Sequence, residues 1–192
     1  LPGGASLHVS SSMAVRDLDT FGGNPGREVR VFCSRGVNGI DGTVATAAGE
    51  AVAEPRRPML VLLGDLALRH DMGGLMLAAE LGVRLTIVVV DNQGGGIFSH
   101  LPVRDHAGFE ACFVTPQTSD LLALARAAGA RTVDAADLSG LDRAIATDLE
   151  RPGVGVIRVR TDREDERRRR DQALMAVDAV VREIVNNAGV SS

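Results

Sequence analysis

The sequence predicts an α/β domain, a doubly wound parallel sheet with helices on both faces, and three observations predict it. Short β-branched or leucine-rich runs alternate along the chain with segments of helical periodicity. Three of these runs are almost continuously apolar, the pattern of strands covered on both faces as in a parallel sheet. The chain of 192 residues is 45% hydrophobic and 24% charged, enough apolar material for one domain with a sizeable core.

Taken in order, the first stretch, LPGGASLHVS, opens on Leu1 and reads as a loose strip up to about residue 8, an interdomain linker or cut-out piece of a longer chain. Ser12 and Arg16 follow at helical spacing and so share a face. Strands are expected at 29–34 (VRVFCS), 59–65 (MLVLLGD), 84–91 (RLTIVVVD) and 154–160 (VGVIRVR), with 131–135 (RTVDA) a weaker strand. The segment 41–54 is a helix rich in small residues that should pack closely. Met72, Leu75, Met76 and Ala79 line one face of a helix over 71–81. Leu121, Leu124, Ala125 and Ala128 do so over 118–129, and Leu138, Leu141, Ile145 and Leu149 in the next segment. Leu174, Val177, Val181 and Ile184 mark a long final helix. The βαβα alternation is that of a doubly wound sheet.

Composition excludes several functions. All 21 basic residues are arginine, which removes a P-loop lysine, a lysine Schiff base and a lysine general base from the chemistry of this chain. The net charge of −4, five Phe and the absence of Trp and Tyr argue against nucleic acid as a partner. No apolar run approaches the ~20 residues that span a bilayer, and no basic–apolar–small leader is present, so the expected location is cytoplasmic, without a membrane partner. Cys33 and Cys112 stand singly in apolar company and are expected as reduced core residues. The run REDERRRRDQ at 163–172 mixes both signs and is expected to be a solvated helix start.

The chemistry is expected where two strands end. Ligands of open α/β sheets sit outside the carboxyl ends of strands. There MLVLLGD delivers Asp65 after Gly64, and TIVVVDN delivers Asp91 and Asn92. A carboxylate and an amide oxygen are hard ligands suited to Mg²⁺, which keeps water and phosphate in its other positions. Gly94, Gly95 and Gly96 free the backbone to bend, to expose a carbonyl and to bring N–H groups close to an anion. Gly-Asp and Asp-Asn are also ordinary turn chemistry, so a strand end with a tight loop is the plain alternative to a Mg²⁺–diphosphate site. His70, His100 and His106 have no partner spacing for a triad or metal cluster and are expected as loop residues.

At these residues the sequence resembles thiamine diphosphate (ThDP) enzymes, whose signature is Gly-Asp-Gly followed after a gap by Asn-Asn. It departs from that signature at Leu66 and Asp91. The words SRGVNGIDGTVATAAG (34–49), GDLALRHDMGGL (64–75) and TIVVVDNQGGGIFSHLP (86–102) are similar to the SEPHCHC synthase (MenD) family of menaquinone biosynthesis, in which a leucine follows Gly-Asp. The likeness is best over about residues 10 to 102. It implies a ThDP diphosphate-binding domain over residues 1–192. Mg²⁺ (or Mn²⁺) would be held by the Asp65 and Asn92 side chains and the Gly94 carbonyl. Ile40 would support the bent cofactor under its thiazolium ring, with Gly64, Leu66 and Gly95 also cofactor-binding. Arg35 and the Ser12–Arg16 pair would hold substrate carboxylates, a task that suits planar guanidinium groups. Ile97, Phe98 and Leu101 would line the substrate side.

The implied reaction is decarboxylation of 2-oxoglutarate and addition of the remaining succinyl unit to isochorismate, giving 2-succinyl-5-enolpyruvyl-6-hydroxy-3-cyclohexene-1-carboxylate (SEPHCHC). The cofactor carries the chemistry and the protein positions it. The family activates ThDP with a glutamate on a pyrimidine-binding domain, usually of a neighbouring subunit in a homo-oligomer. No segment here resembles that domain, so no catalytic residue is expected on this chain and the chain alone is expected to be inactive. Two alternatives stand: a domain of another ThDP-dependent 2-oxoacid decarboxylase or acetolactate-synthase-like enzyme, and a non-catalytic nucleotide-binding module on the same sheet.

Overall fold

In the computed structural model, which describes residues 1–23, 26, 28–36 and 39–187, six parallel strands form one sheet. They are β1 (Ser6–Val9), β2 (Arg30–Phe32), β3 (Met59–Gly64), β4 (Leu85–Asp91), β5 (Arg131–Ala135) and β6 (Val154–Arg160), in the spatial order β2-β1-β3-β4-β6-β5. The helices are α1 (Met13–Phe21), α2 (Thr43–Ala53), α3 (Asp65–His70), α4 (Met72–Leu81), α5 (Leu121–Ala127), α6 (Leu138–Leu149) and α7 (Arg163–Asn187). The chain moves outward from β1 to β2, then returns to the other side of β1 for β3. The winding reverses between β1 and β3, and a crevice at such a reversal is where doubly wound sheets bind ligands.

Side-chain alternation along the strands divides the core in two. Met59, Val61 and Leu63 of β3 and Leu85, Ile87 and Val89 of β4 face a cluster that includes Val44, Ala47 and Ala48 of α2, Leu75 of α4 and Leu121 of α5. Leu60 and Val88, one residue out of phase, face the opposite cluster with Leu7, Val9 and Leu149, against which α1 and α6 pack. Small residues let α2 and α4 approach closely: Asp71 accepts from the Gly74 N–H at 3.2 Å within α4 and from the Ala45 N–H of α2 at 2.8 Å. A Cβ on Gly74 would lie 2.7 Å from that same Ala45 nitrogen.

The structure departs from the sequence reading at several places. Residues 6–8, expected in a loose strip, belong to β1, which pairs with both β2 and β3. The reason is tertiary: Ser6 and His8 are buried, and the His8 Nδ1 lies 2.9 and 3.0 Å from the Glu50 carboxylate oxygens of α2. The strand expected to end on Asp65 stops at Gly64, and Asp65 opens the short helix α3. Cys33 and Cys112 are free but exposed rather than in the core; Cys33 follows the edge strand β2. The apolar stripe of α7 is exposed too, at Leu174, Val177, Val181 and Ile184. Among the described residues no helix is long and apolar enough to cross a membrane.

One buried polar cluster locks the far half of the sheet. Asp148, near the end of α6, accepts from the Thr86 hydroxyl of β4 at 2.8 Å and from the Arg131 Nη2 of β5 at 2.9 Å. Its carboxylate fills the space where a Cβ on Gly155 of β6 would stand. Removing it leaves a buried hydroxyl and a largely buried guanidinium without their acceptor. Asp148→Ala is expected to lose about 2–4 kcal/mol in urea unfolding, and Asp148→Asn, which keeps an acceptor, clearly less. Equal losses for both variants would show that hydrogen bonding at this position is not what matters.

Candidate functional site

The register of β3 and β4 assembles the site. Gly64 pairs with Val90, so the next residues, Asp65 and Asp91, emerge side by side, with Asn92 one step further. Asp65 is only 2% exposed, yet its Oδ2 finds no hydrogen-bond partner among the described residues. Burial, then the nearby charge of Asp91, pushes its carboxyl up to about 6. The Leu66 N–H and Arg69 pull it down, but by less. A buried carboxylate oxygen without a partner costs free energy, and a bound cation is the natural partner to relieve it.

The loop after β4 is bent sharply. Gln93 has φ 62° and Gly94 φ 139°, the second a conformation that side chains rarely adopt. A Cβ on Gly94 would also collide with the Val114 carbonyl. A Cβ on Gly96 would lie 2.5 Å from the Asn92 amide nitrogen, so Gly96 lets that side chain fold over the loop. Two of the three glycine donors are already used within the structure. The Gly95 N–H donates to the Val114 carbonyl at 2.8 Å and the Gly96 N–H to the Gly94 carbonyl at 2.9 Å. The Val114 carbonyl belongs to a π-helical turn, Glu110–Val114, whose Phe113 meets Phe98 edge-on at 5.5 Å and stacks near Phe109.

Asp65, Asn92, Gly94 and Gly95 open onto a cleft of about 1040 Å³ at the point where the winding reverses. Gly64, Leu66 and Ile40 line the same cleft, as do Ile97 and Phe98. Ser12, Arg16 and Arg35 line its outer part. Ser12 adopts a strained φ of 72°, and its carbonyl accepts from the Arg16 Nη1 at 2.7 Å. Arg35 donates to the Ser11 hydroxyl at 3.3 Å. Leu101 is the exception: it does not line the cleft and is 48% exposed, at the end of the tight turn Gly96–His100. His70 and His100 do reach the cleft wall. Burial, and next Arg170, push His100 below its usual range, so its imidazole is neutral near pH 7. His106 stays in its loop, with Nδ1 accepting from the Gly108 N–H.

The sequence reading missed the contribution of α7. Arg163, Glu166, Arg169 and Arg170, all from the run expected to be solvated, line the cleft. Glu166 accepts from the Asn92 Nδ2 at 3.0 Å. The spacing 163, 166, 170 is one helix face, which was the available signal. Of the five arginines around the cleft, Arg163 pairs with Glu110, Arg169 with Asp165 and Arg170 with Asp17. Arg16 and Arg35 have no carboxylate partner among the described residues.

A family model for the thiamine pyrophosphate enzymes, describing their C-terminal TPP-binding domain, matches residues 21–159. The chain belongs to this family. Thiamine pyrophosphate is ThDP, and a ThDP-binding domain replaces the generic nucleotide module as the reading of the sheet. The 2-succinyl-5-enolpyruvyl-6-hydroxy-3-cyclohexene-1-carboxylate synthase of Myxococcus xanthus (strain DK1622) is 46% identical over 88% of this chain and 29% of its own length. The enzyme of the same name from Roseiflexus sp. (strain RS-1) is 37% identical over 93% of this chain and 31% of its own. The chain thus spans less than a third of the length of these relatives. Benzoylformate decarboxylase from Polynucleobacter necessarius shares the fold, with a TM-score of 0.67 at 22% identity over 85% of this chain and 31% of its own.

The residues of this ThDP-binding domain suit a hard cation beside a diphosphate: a buried carboxylate with an unpartnered oxygen, an oriented amide and a bent loop carbonyl. Without the cation, Asp65 holds its proton more tightly in the folded than in the unfolded chain. Its stabilising contribution is therefore present below about pH 4 and lost as the pH rises through about 6. With Mg²⁺ and ThDP omitted, Asp65→Asn is expected to gain on the wild type by about 3 kcal/mol between pH 4 and pH 7 in urea unfolding. A difference that stays constant across that range would remove the claim that Asp65 is buried and uncompensated.

Proposed function

We propose that this chain is the part of a SEPHCHC synthase that binds the diphosphate and metal of ThDP. The whole enzyme would decarboxylate 2-oxoglutarate and join the remaining succinyl unit to isochorismate. One observation carries the reading: a buried carboxylate with one oxygen unpartnered stands at the strand ends of a cleft that also holds two arginines without acidic partners. The names of the relatives support the choice of substrates.

When bound, ThDP supplies the electron sink for loss of carbon dioxide from a 2-oxo acid. The chain's own residues bind and orient. Asp65 and Asn92 hold Mg²⁺ (or Mn²⁺) through their side chains and Gly94 through its carbonyl. Gly64, Leu66 and Gly95 would hold the diphosphate, and Ile40 would support the cofactor rings. Arg35, and Arg16 with Ser12, take the carboxylates of two polyanionic substrates, and planar guanidinium groups fix the orientation of those acids as well as their charge. Ile97 and Phe98 exclude water from the reacting face, while Leu101 could serve only at the rim. In this reading the activating glutamate lies on the pyrimidine-binding domain of a neighbouring subunit in a homo-oligomer. The two free cysteines accord with a reducing, cytoplasmic setting.

Calorimetric titration with ThDP, with and without Mg²⁺, tests the site, with ATP and NAD as controls. Binding is expected only with Mg²⁺ present, and Asp65→Ala is expected to abolish it. Uptake of ATP or NAD that ignores both Mg²⁺ and Asp65, with no uptake of ThDP, would overturn the proposal.

A further inference from the structure

Asn92 offers a cation one atom, its Oδ1, and an amide side chain can turn that atom away by rotating half a turn. Something must fix its orientation. Among the described residues a carboxylate meets the other end: the Glu166 Oε2 lies 3.0 Å from the Asn92 Nδ2. Only the NH₂ end of an amide can donate to an ionised carboxylate, so this contact sets which end is which. Gly96 makes room for it, since a Cβ there would stand against the same nitrogen.

The position of Glu166 follows from the backbone. Asp91 pairs with Arg160, and the Thr161 N–H donates to the Asp91 carbonyl at 3.1 Å, so α7 starts beside the cation loop. Asp162 caps that start, its side chain accepting from the Asp165 N–H at 2.8 Å and its carbonyl from the Glu166 N–H at 2.9 Å. Three residues away in the same turn, Arg163 pairs with Glu110 at 3.3 Å, at the head of the π-helical turn whose Val114 carbonyl holds Gly95. The first turn of α7 therefore grips the cation loop from two sides.

We propose that Glu166 is a positioning residue for the cation site: by accepting from the Asn92 Nδ2 it turns the Asn92 Oδ1 toward Asp65. The inference rests on the cation reading above. Carboxylates that orient metal ligands in this way are worth roughly 10–100-fold in metal affinity. Glu166→Ala is thus expected to weaken Mg²⁺-dependent ThDP binding about tenfold, with thermal unfolding unchanged. Glu166→Gln keeps an acceptor oxygen and is expected to recover most of that loss. If Glu166→Ala folds poorly, Glu166→Met, which keeps the stem without an acceptor, takes its place.

Calorimetry on the wild type, Asp65→Ala and the Glu166 variants separates the outcomes. A second readout needs no ligand: the Asn92 side-chain NH₂ signal in ¹⁵N NMR, assigned by its absence in Asn92→Asp, is expected to shift in Glu166→Ala and to stay near its wild-type position in Glu166→Gln. Wild-type affinity in Glu166→Ala, with binding still lost in Asp65→Ala, sinks the positioning role alone. Loss as deep in Glu166→Gln as in Glu166→Ala overturns it as well, because charge rather than orientation would then be at work. A wild-type chain that takes up ThDP neither with nor without Mg²⁺ removes the cation reading and this inference together.

Discussion

A carboxylate held out of water with one oxygen unpartnered is the constraint around which the rest of this molecule is arranged. Asp65 follows directly on β3, an interior strand of the sheet, so its backbone cannot retreat from the core. Its Oδ2 is buried and unsatisfied, and Asp91 on the next strand adds a like charge. A fold optimised for stability alone would place an apolar residue or a cation partner there. The arginine that acts on Asp65 does not fill that role: Arg69 donates instead to the Ser119 carbonyl at 2.8 Å. Leaving that oxygen unpartnered makes sense where positive charge comes from outside the chain, the part that the proposed function gives to a bound cation.

The arginines divide by the same logic. In a chain without lysine, every fixed positive charge is a guanidinium, and most of those near the cleft are already neutralised. The acidic residues threaded through 163–172 do this for their neighbours, as Glu164 and Asp171 do for Arg167. Asp17 does it for Arg170 from α1, with Phe21 stacked beneath the guanidinium at 5.4 Å. The effect of these pairs is selective: they leave Arg16 and Arg35 as the cleft arginines able to meet an incoming carboxylate without first losing an acidic partner.

Much of this was legible in the sequence, and the failures have physical causes. Five of the six strands and four of the helices show runs or periods that can be read. α3 spans six residues, shorter than the window periodicity requires, and β1 contains a serine and a histidine whose burial depends on α2. Asp65 and Asn92 were readable because strand ends in such sheets point to a common crevice. Glu166 and Arg163 carried only the weak signal of a shared helix face, since acidic and basic residues three and four apart look the same on a solvated helix and on one facing a cleft. Leu101 was carried by resemblance, and a local feature, the tight turn that ends at His100, leaves it outside.

The three glycines after β4 show how the levels meet. A turn requires one such residue, but this loop is built against two other segments at once. Gly94 yields to the Val114 carbonyl, and Gly96 yields to the amide of Asn92. Strained backbone of this kind, with Gln93 and Gly94 at positive φ, persists only where the surroundings over-determine it. Here the surroundings are the π-helical turn on one side, anchored by its phenylalanines, and the first turn of α7 on the other. The glycines make the loop deformable, and its two neighbours hold it in one shape. A loop stiffened by its own side chains would not need them, but it also could not let the Asn92 amide fold over it to meet Glu166.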